Sequence, residues 1–289
     1  MKNSYFTLNI LILFLLPFFS SAQNNFSNDI KFVQYLADKE MYKEAVYVLQ
    51  NVDTNKISFN QKDTLHYQLG WMLYNLKELE PSANNLLKVS NQNNYYLKSR
   101  NFAAYNFAYL GHTDSAKNIY DSIESKDSVL RELKNFELAG IALLERDTAK
   151  FSKLQHNFTY SSYTFANEEK KIEQYYKEIS QFKHKSPFLA GLYSAVLPGA
   201  GKFYAGKKMQ AIGAFLPIIS TAILTYEAYR KGGVSSARFI TYGSVFTIFY
   251  VSNIWSSVIA VKVRNNDFNK NYNNKILFSM HIPLRNFFN

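Results

Sequence analysis

The sequence predicts an all-α protein: a helical solenoid followed by a transmembrane helical hairpin. Three observations carry this. Small and apolar residues recur with a 34-residue period across about residues 27–155. Two long stretches near the C-terminus are free of charge. The basic excess sits at that same end. Residues 1–185 hold 22 Lys and Arg against 20 Asp and Glu, whereas residues 186–289 hold 11 basic residues against Glu227 and Asp267 alone. Set beside charge-free segments, this excess reads as a membrane feature rather than a nucleic-acid footprint. Aromatics at 17% and hydrophobic residues at 47% exclude wholesale disorder. Cysteine is absent. That excludes disulfides, a thiol nucleophile, a Cys-ligated metal and an acylated N-terminal cysteine.

Residues 1–22 read as a secretory signal peptide. Lys2 precedes an apolar run from Leu8 to Phe19, and Ser20-x-Ala22 offers small residues for cleavage before Gln23. The alternative is an uncleaved anchor, for which the run is short. The -SAQ- ending resembles those of exported Bacteroidota proteins. Either way the next segment lies outside the cytoplasm.

That segment carries the repeat. Leu69-Gly70, Leu73, Lys77, Leu79, Ser82, Leu86 and Val89 shift by 34 residues onto Ala103-Ala104, Phe107, Gly111, Thr113, Ala116, Tyr120 and Ile123. The clearest unit is AAYNFAYLGHTDSAKNIYDSI. Gly111 is expected to end a helix with positive φ, and Ala116 to sit where paired helices cross. A looser first unit has Leu36, Tyr42, Ala45 and Leu49, and a fourth has Ala139, Ala142, Thr148 and Phe151. This resembles the tetratricopeptide (TPR) repeat, a helix-turn-helix unit of that period. The resemblance implies stacked pairs around a continuous core and a concave face lined by the first helix of each pair. Its groove positions fall on Thr64, Tyr67, Trp71 and Tyr74, then Lys98, Asn101, Tyr105 and Ala108. Tyr67, Trp71, Tyr74, Asn101 and Tyr105 are the candidate partner-binding residues, since amphipathic aromatics suit peptide contact. The same residues could instead pack between helices.

Residues 165–185 follow as an amphipathic capping or linker helix, with Ile172, Tyr175, Tyr176, Ile179 and Phe182 on one face. Glu168 and Glu169 are expected on its solvated face.

Residues 186–265 form the membrane domain. The charge-free stretches Met209–Tyr226 and Phe239–Val261 predict spans of about 209–228 and 238–262. A polar connector with Gly232-Gly233 joins them. Gly213, Ser220, Thr221, Gly243, Ser244, Ser252 and Ser256 would let the helices approach and hydrogen-bond. A short helix over 187–197 precedes them. Its span is too short to cross, which would put Arg230 and Lys231 on the cytoplasmic side and the tail outside. The basic residues flanking the hairpin favour the opposite arrangement. Shortness is the firmer objection. The tail, 266–289, is expected as a surface strand or short helix.

Between short helix and hairpin lies PGAGKFYAGK. A phosphate-binding loop would need glycine at Val196 and a hydroxyl at Phe203. A dinucleotide fingerprint would need glycine at Tyr204. No strand pattern precedes it. Pro198, Gly199, Gly201, Tyr204 and Gly206 instead match the P-G-x-G-x-x-Y-x-G core that resembles the loop of a bacterial two-transmembrane-hairpin family. That family often has Gln where Lys202 stands. The resemblance implies an interfacial turn, with Lys202, Lys207 and Lys208 reaching lipid phosphates or water.

No H-E-x-x-H or G-x-S-x-G motif occurs, and His66, His112, His156, His184 and His281 lack ligand spacing. Glu227 could pair with Arg230. No catalytic, metal or cofactor constellation is expected. The expected function is that of a non-enzymatic, membrane-anchored periplasmic adaptor binding a protein or peptide. The alternative is a small transport or lipid-handling membrane protein with a regulatory repeat arm.

Overall fold

A computed structural model describes residues 26–124, 127–161 and 163–288. The expected signal peptide, residues 1–22, lies outside the described residues. Among those residues all regular structure is helical, so the protein is all-α. In chain order the helices are α1 Phe26–Asp38, α2 Tyr42–Gln50, α3 Phe59–Asn75, α4 Leu79–Leu86, α5 Tyr96–Tyr109, α6 Thr113–Ser122 and α7 Ser128–Leu144. Then come α8 Thr148–Gln155, α9 Ala166–Gln181, α10 Pro187–Val196, α11 Ala200–Tyr204, α12 Lys208–Gly232 and α13 Ala237–Phe288.

One turn is built four times. Glu40, Lys77, Gly111 and Arg146 have φ of 58°, 65°, 84° and 62°. Each follows the first helix of a pair. The next residue's N–H reaches back five positions: Met41 to Leu36 at 2.9 Å, Glu78 to Leu73 at 3.0 Å, His112 to Phe107 at 2.8 Å and Asp147 to Ala142 at 2.8 Å. This is the Schellman closure, which satisfies carbonyls that a helix end leaves without partners. Three of the four positions carry a side chain there at a cost of about 1–2 kcal/mol each. Packing of the pairs holds the turn, with or without glycine.

The chain folds as two compact units that divide between Lys134 and Asn135. In the first, helices α1 to α6 each pack on the next. Val33, Leu36, Ala45, Leu49, Leu65, Met72 and Leu73 form a core. Ser58 starts α3 with a capping box: its hydroxyl accepts from the Gln61 N–H and its own N–H donates to the Gln61 side chain. Further along, the Ser82 hydroxyl donates to the Gly70 carbonyl at 2.7 Å and accepts from the Asn106 amide at 3.0 Å. That chain of bonds ties α3, α4 and α5 together. Ala104 and Ala116 are fully buried, as their spacing leads one to expect.

The second unit holds the end of α7 and helices α8 to α13. Phe136, Phe151, Phe158 and Phe165 make an aromatic core extended by Tyr176, whose ring stacks on Phe151 at 4.7 Å. Against it lies the C-terminal half of α13. Met280 packs so closely on α7 that a Cβ at Gly140 would lie 2.6 Å from its Cγ. The Tyr272 hydroxyl donates to Glu178 at 2.5 Å, and Phe182 stacks on Phe268 at 3.5 Å. Arg146 donates to the Leu143 carbonyl at 2.7 Å and to Asn269 at 3.3 Å.

Two helices, α12 and α13, are long and apolar enough to cross a membrane. Their apolar windows are only 11% and 22% buried. Ile212, Leu216, Ile223, Ile248, Val251 and Trp255 face outward. A soluble core helix would turn such residues inward.

Three expectations are corrected here. The tail over 266–289 is no separate strand or short helix: α13 runs unbroken for 52 residues. Its buried face, Tyr272, Ile276, Met280 and Leu284, recurs every four residues and docks on the rest of the unit. Glu168 and Glu169 are buried, not solvated. Glu169 accepts from the Tyr160 N–H at 2.8 Å, and Glu168 pairs with Lys171 at 2.7 Å. Glu227 pairs with Lys231 at 2.6 Å rather than with Arg230.

Candidate functional site

In the first unit, α3 presents Tyr67, Trp71 and Tyr74 at helical spacing on one side. The Tyr67 ring lies 4.0 Å from that of Tyr95, nearly parallel. Trp71 stacks on Tyr74 at 5.3 Å and meets Phe102 edge-on at 5.0 Å. The Lys98 ammonium sits 4.3 Å above the Trp71 ring. Burial lowers the Lys98 ammonium pKa from its ordinary value. Burial, and then the neighbouring Tyr95, push the Tyr67 phenol up. Burial thus disfavours the charged lysine, while the aromatic face beneath it offers a cation–π contact that strengthens as water is excluded.

Beside this ladder opens a cavity of about 370 Å³. Tyr67, Trp71 and Tyr95 form an aromatic wall, with Gln34 and Asp38 of α1 and Asn75 of α3 as polar lining. Most of the lining comes from the first helices of successive pairs. Such a pocket can take a flat or apolar side chain while amides and a carboxylate hold the backbone around it.

The structure brings Tyr67 and Trp71 together in this cavity. Tyr74 lies behind Trp71, buried against Phe102. Asn101 is 2% exposed and gives its amide to the Leu97 carbonyl of its own helix. Tyr105 is buried, with Tyr109 as a ring neighbour at 6.3 Å. Tyr95, Asp38 and Gln34 were missed by sequence reasoning. Tyr95 precedes α5, outside the helical register that assigns the groove, and only its place in the aromatic run Tyr95-Tyr96 could have marked it.

The second unit holds the glycine motif. Around it the chain folds back on itself through the short helices α10 and α11. Helix α10 starts at a Ser186 cap with Pro187 next, and ends before Pro198. Gly199 then takes φ 86°, and a Cβ there would lie 2.5 Å from the Ala211 carbonyl. A Cβ on Gly201 would lie 2.0 Å from the Ala190 carbonyl. So α11 folds flat against α10. Tyr204, at its end, accepts on its hydroxyl from the Ser186 N–H at 3.2 Å. The chain has thus returned to where α10 began. Gly206, with φ 85°, then turns it into α12.

The backbone freed at this break is satisfied by α13. The Asn253 side chain accepts from the Gly199 N–H at 3.2 Å and donates to the Ser194 carbonyl at 3.3 Å. The Gly201 N–H donates to the Ser194 hydroxyl at 2.9 Å, which lies 2.7 Å from that of Ser257. The Tyr250 hydroxyl donates to the Ala195 carbonyl. A buried backbone break persists only where protein groups partner it in this way. Ser194, Asn253 and Ser257 escaped sequence analysis, which looked for hydroxyl contacts between α12 and α13. There the threonine hydroxyls turn back onto their own helices, Thr221 to Pro217 and Thr225 to Thr221.

No protein family, curated protein or solved structure matches this chain. The two sites therefore stand on their geometry alone.

Proposed function

We propose that the protein is a membrane-anchored adaptor whose first unit is a TPR-like array in the periplasm, holding a segment of a partner protein. The observation that carries this reading is the cavity walled by Tyr67, Trp71 and Tyr95 with Lys98 above the tryptophan. Aromatic anchors in a partly desolvated pocket are the usual carriers of binding energy. The fourfold left-handed turn supports a repeat array. The exposed apolar residues of α12 and α13 support the anchor. The return of α11 to the start of α10 supports an arrangement with the helical units and the C-terminus on one side and the Arg230–Lys231 connector on the cytoplasmic side of the inner membrane. The role is non-enzymatic: the proposed chemistry is recognition, with no cofactor and no nucleic acid.

The test is photo-crosslinking in cells from Asn75 and Tyr95, which line the cavity, with Tyr47, exposed on α2, as control. A protein captured from both lining positions, not from Tyr47, and lost with Trp71→Ala supports the reading. Equal capture from all three positions, or none, refutes it. Reporter fusions at Gly233 test the orientation, a cytoplasmic signal being expected.

A further inference from the structure

We propose a second binding site, for the anionic headgroup of a phospholipid, in a cavity between α11, α12 and α13. It rests on the proposed membrane placement of α12 and α13 and not on the adaptor role.

The cavity has a volume of about 260 Å³. Lys202 enters it from α11, Pro217 and Gly213 wall it on α12, and Phe249, Ser252 and Ser256 wall it on α13. Lys202 is half-buried and has no hydrogen bond or ion pair among the described residues. Every other part of the site is satisfied or neutral. Ser256 spends its proton on the Asn253 carbonyl at 3.1 Å. Asn253 is committed to the α10–α11 break. The two acids of this region are elsewhere: Glu227 pairs with Lys231 near the far end of α12, and Asp267 lies beyond the apolar stretch of α13. One cation thus faces the cavity with no anion to meet it.

Position identifies the anion. Ser252 and Ser256 come ten and six residues before Lys262, the first charge after the apolar stretch. At the helical rise that is roughly 9–15 Å along the axis. An unpaired charge at that depth is costly and draws a partner. The surroundings are apolar and open: Phe249 of the lining is 41% exposed, and Leu216, next to Pro217 on α12, is 58% exposed. A free phosphate would leave these bare, whereas acyl chains cover them. The helix wall also yields here. Pro217 has no N–H for the Gly213 carbonyl four residues earlier. A Cβ on Gly213 would meet nothing within 4 Å. A headgroup phosphate can therefore take Lys202 and the exposed Ser252 hydroxyl while its tails follow the outer faces of α12 and α13.

The test uses the full chain in nanodiscs of equal phosphatidylglycerol and phosphatidylcholine, with retained lipid counted by native mass spectrometry. The wild type is expected to keep phosphatidylglycerol in preference, and inorganic phosphate is expected not to displace it. Lys202→Gln removes the charge at similar length. Gly213→Leu fills the cavity and leaves the charge in place. Each is expected to lower the preference about tenfold, the size of one charge-assisted contact. Lys202→Arg and Lys208→Gln are expected to keep it. No preference in the wild type overturns the proposal without reference to any variant. So does retention unchanged in both Lys202→Gln and Gly213→Leu, displacement by phosphate, or an equal loss in Lys208→Gln. Carbonate resistance of the wild type is read in parallel. Its loss refutes the membrane placement, whereas resistance without lipid preference refutes the site alone.

Discussion

Replacing Gly111 by alanine and Glu40 by glycine perturbs the same turn in opposite directions. At Gly111, with φ 84°, an added Cβ meets nothing within 4 Å, so the cost is purely that of backbone conformation. An L-residue in the left-handed region costs about 1–2 kcal/mol. The greater freedom of glycine in the unfolded chain returns about 0.4–1 kcal/mol. The net loss for Gly111→Ala is then about 0.5–1 kcal/mol. Glu40 is exposed and makes no ion pair among the described residues. Glu40→Gly should gain the same amount. With a urea slope of roughly 2 kcal/mol per molar, the midpoints move by about 0.3–0.5 M, one down and one up. The chain has two tryptophans, so a Trp255→Phe background leaves Trp71 as the reporter of the first unit. Shifts of the same sign, or none in either variant, would refute a shared turn. Arg146→Gly makes the contrast. Relief of about 0.5–1 kcal/mol is outweighed by charged hydrogen bonds worth about 1.5–3 kcal/mol. Hydrogen exchange in α8 should therefore quicken.

Trp71→Ala should weaken partner capture at least tenfold, a loss of about 2 kcal/mol typical of a central anchor, as read by crosslinking yield. Tyr272→Phe should loosen α13 from α9 by about 1 kcal/mol, read as faster amide exchange across α9. The hydrogen bond from Tyr272, and then that from Gln174, hold the Glu178 carboxyl below its ordinary range. Tyr272 is pushed up to about 12, first by burial and then by Glu178. The stabilisation from Glu178 is thus present above the ordinary glutamate range near 4.3 and lost as pH falls through the lowered value. His66 is pushed down, first by burial and then by Lys88. Its folded form binds protons less readily than the unfolded chain. Stability of the first unit is therefore full above pH about 6.5 and declines as pH falls through the lowered value, and His66→Gln should flatten that decline in urea midpoints.

The helical class and the two apolar helices were legible because they rest on periodicity and on runs of uncharged residues, both one-dimensional signals. Gly111 was legible because glycine marks its own conformation. Glu40, Lys77 and Arg146 hold the same φ without such a mark, since packing imposes it. Tyr67 and Trp71 share a helix face and could be placed by spacing. Gln34 and Asp38 come from α1 and Tyr95 from the turn before α5, and only folding brings them there. The extent of α13 was hidden for another reason. Its stretch Asn265–Asn274 is polar and asparagine-rich, which reads as a chain end. The anchors Phe268, Tyr272 and Met280 draw their stability from α7 and α9, far away in sequence.

Because α13 has no break between its apolar stretch and Met280, the two ends are geared together like the ends of a stiff shaft. One residue inserted near Asn266 would turn the distal end by about 100°, swinging Tyr272 and Met280 away from Glu178 and Gly140. Eleven inserted residues would bring it back to within about 20° of its starting angle. Any twist of α13 at Trp255 is felt, with little slack, at Arg146.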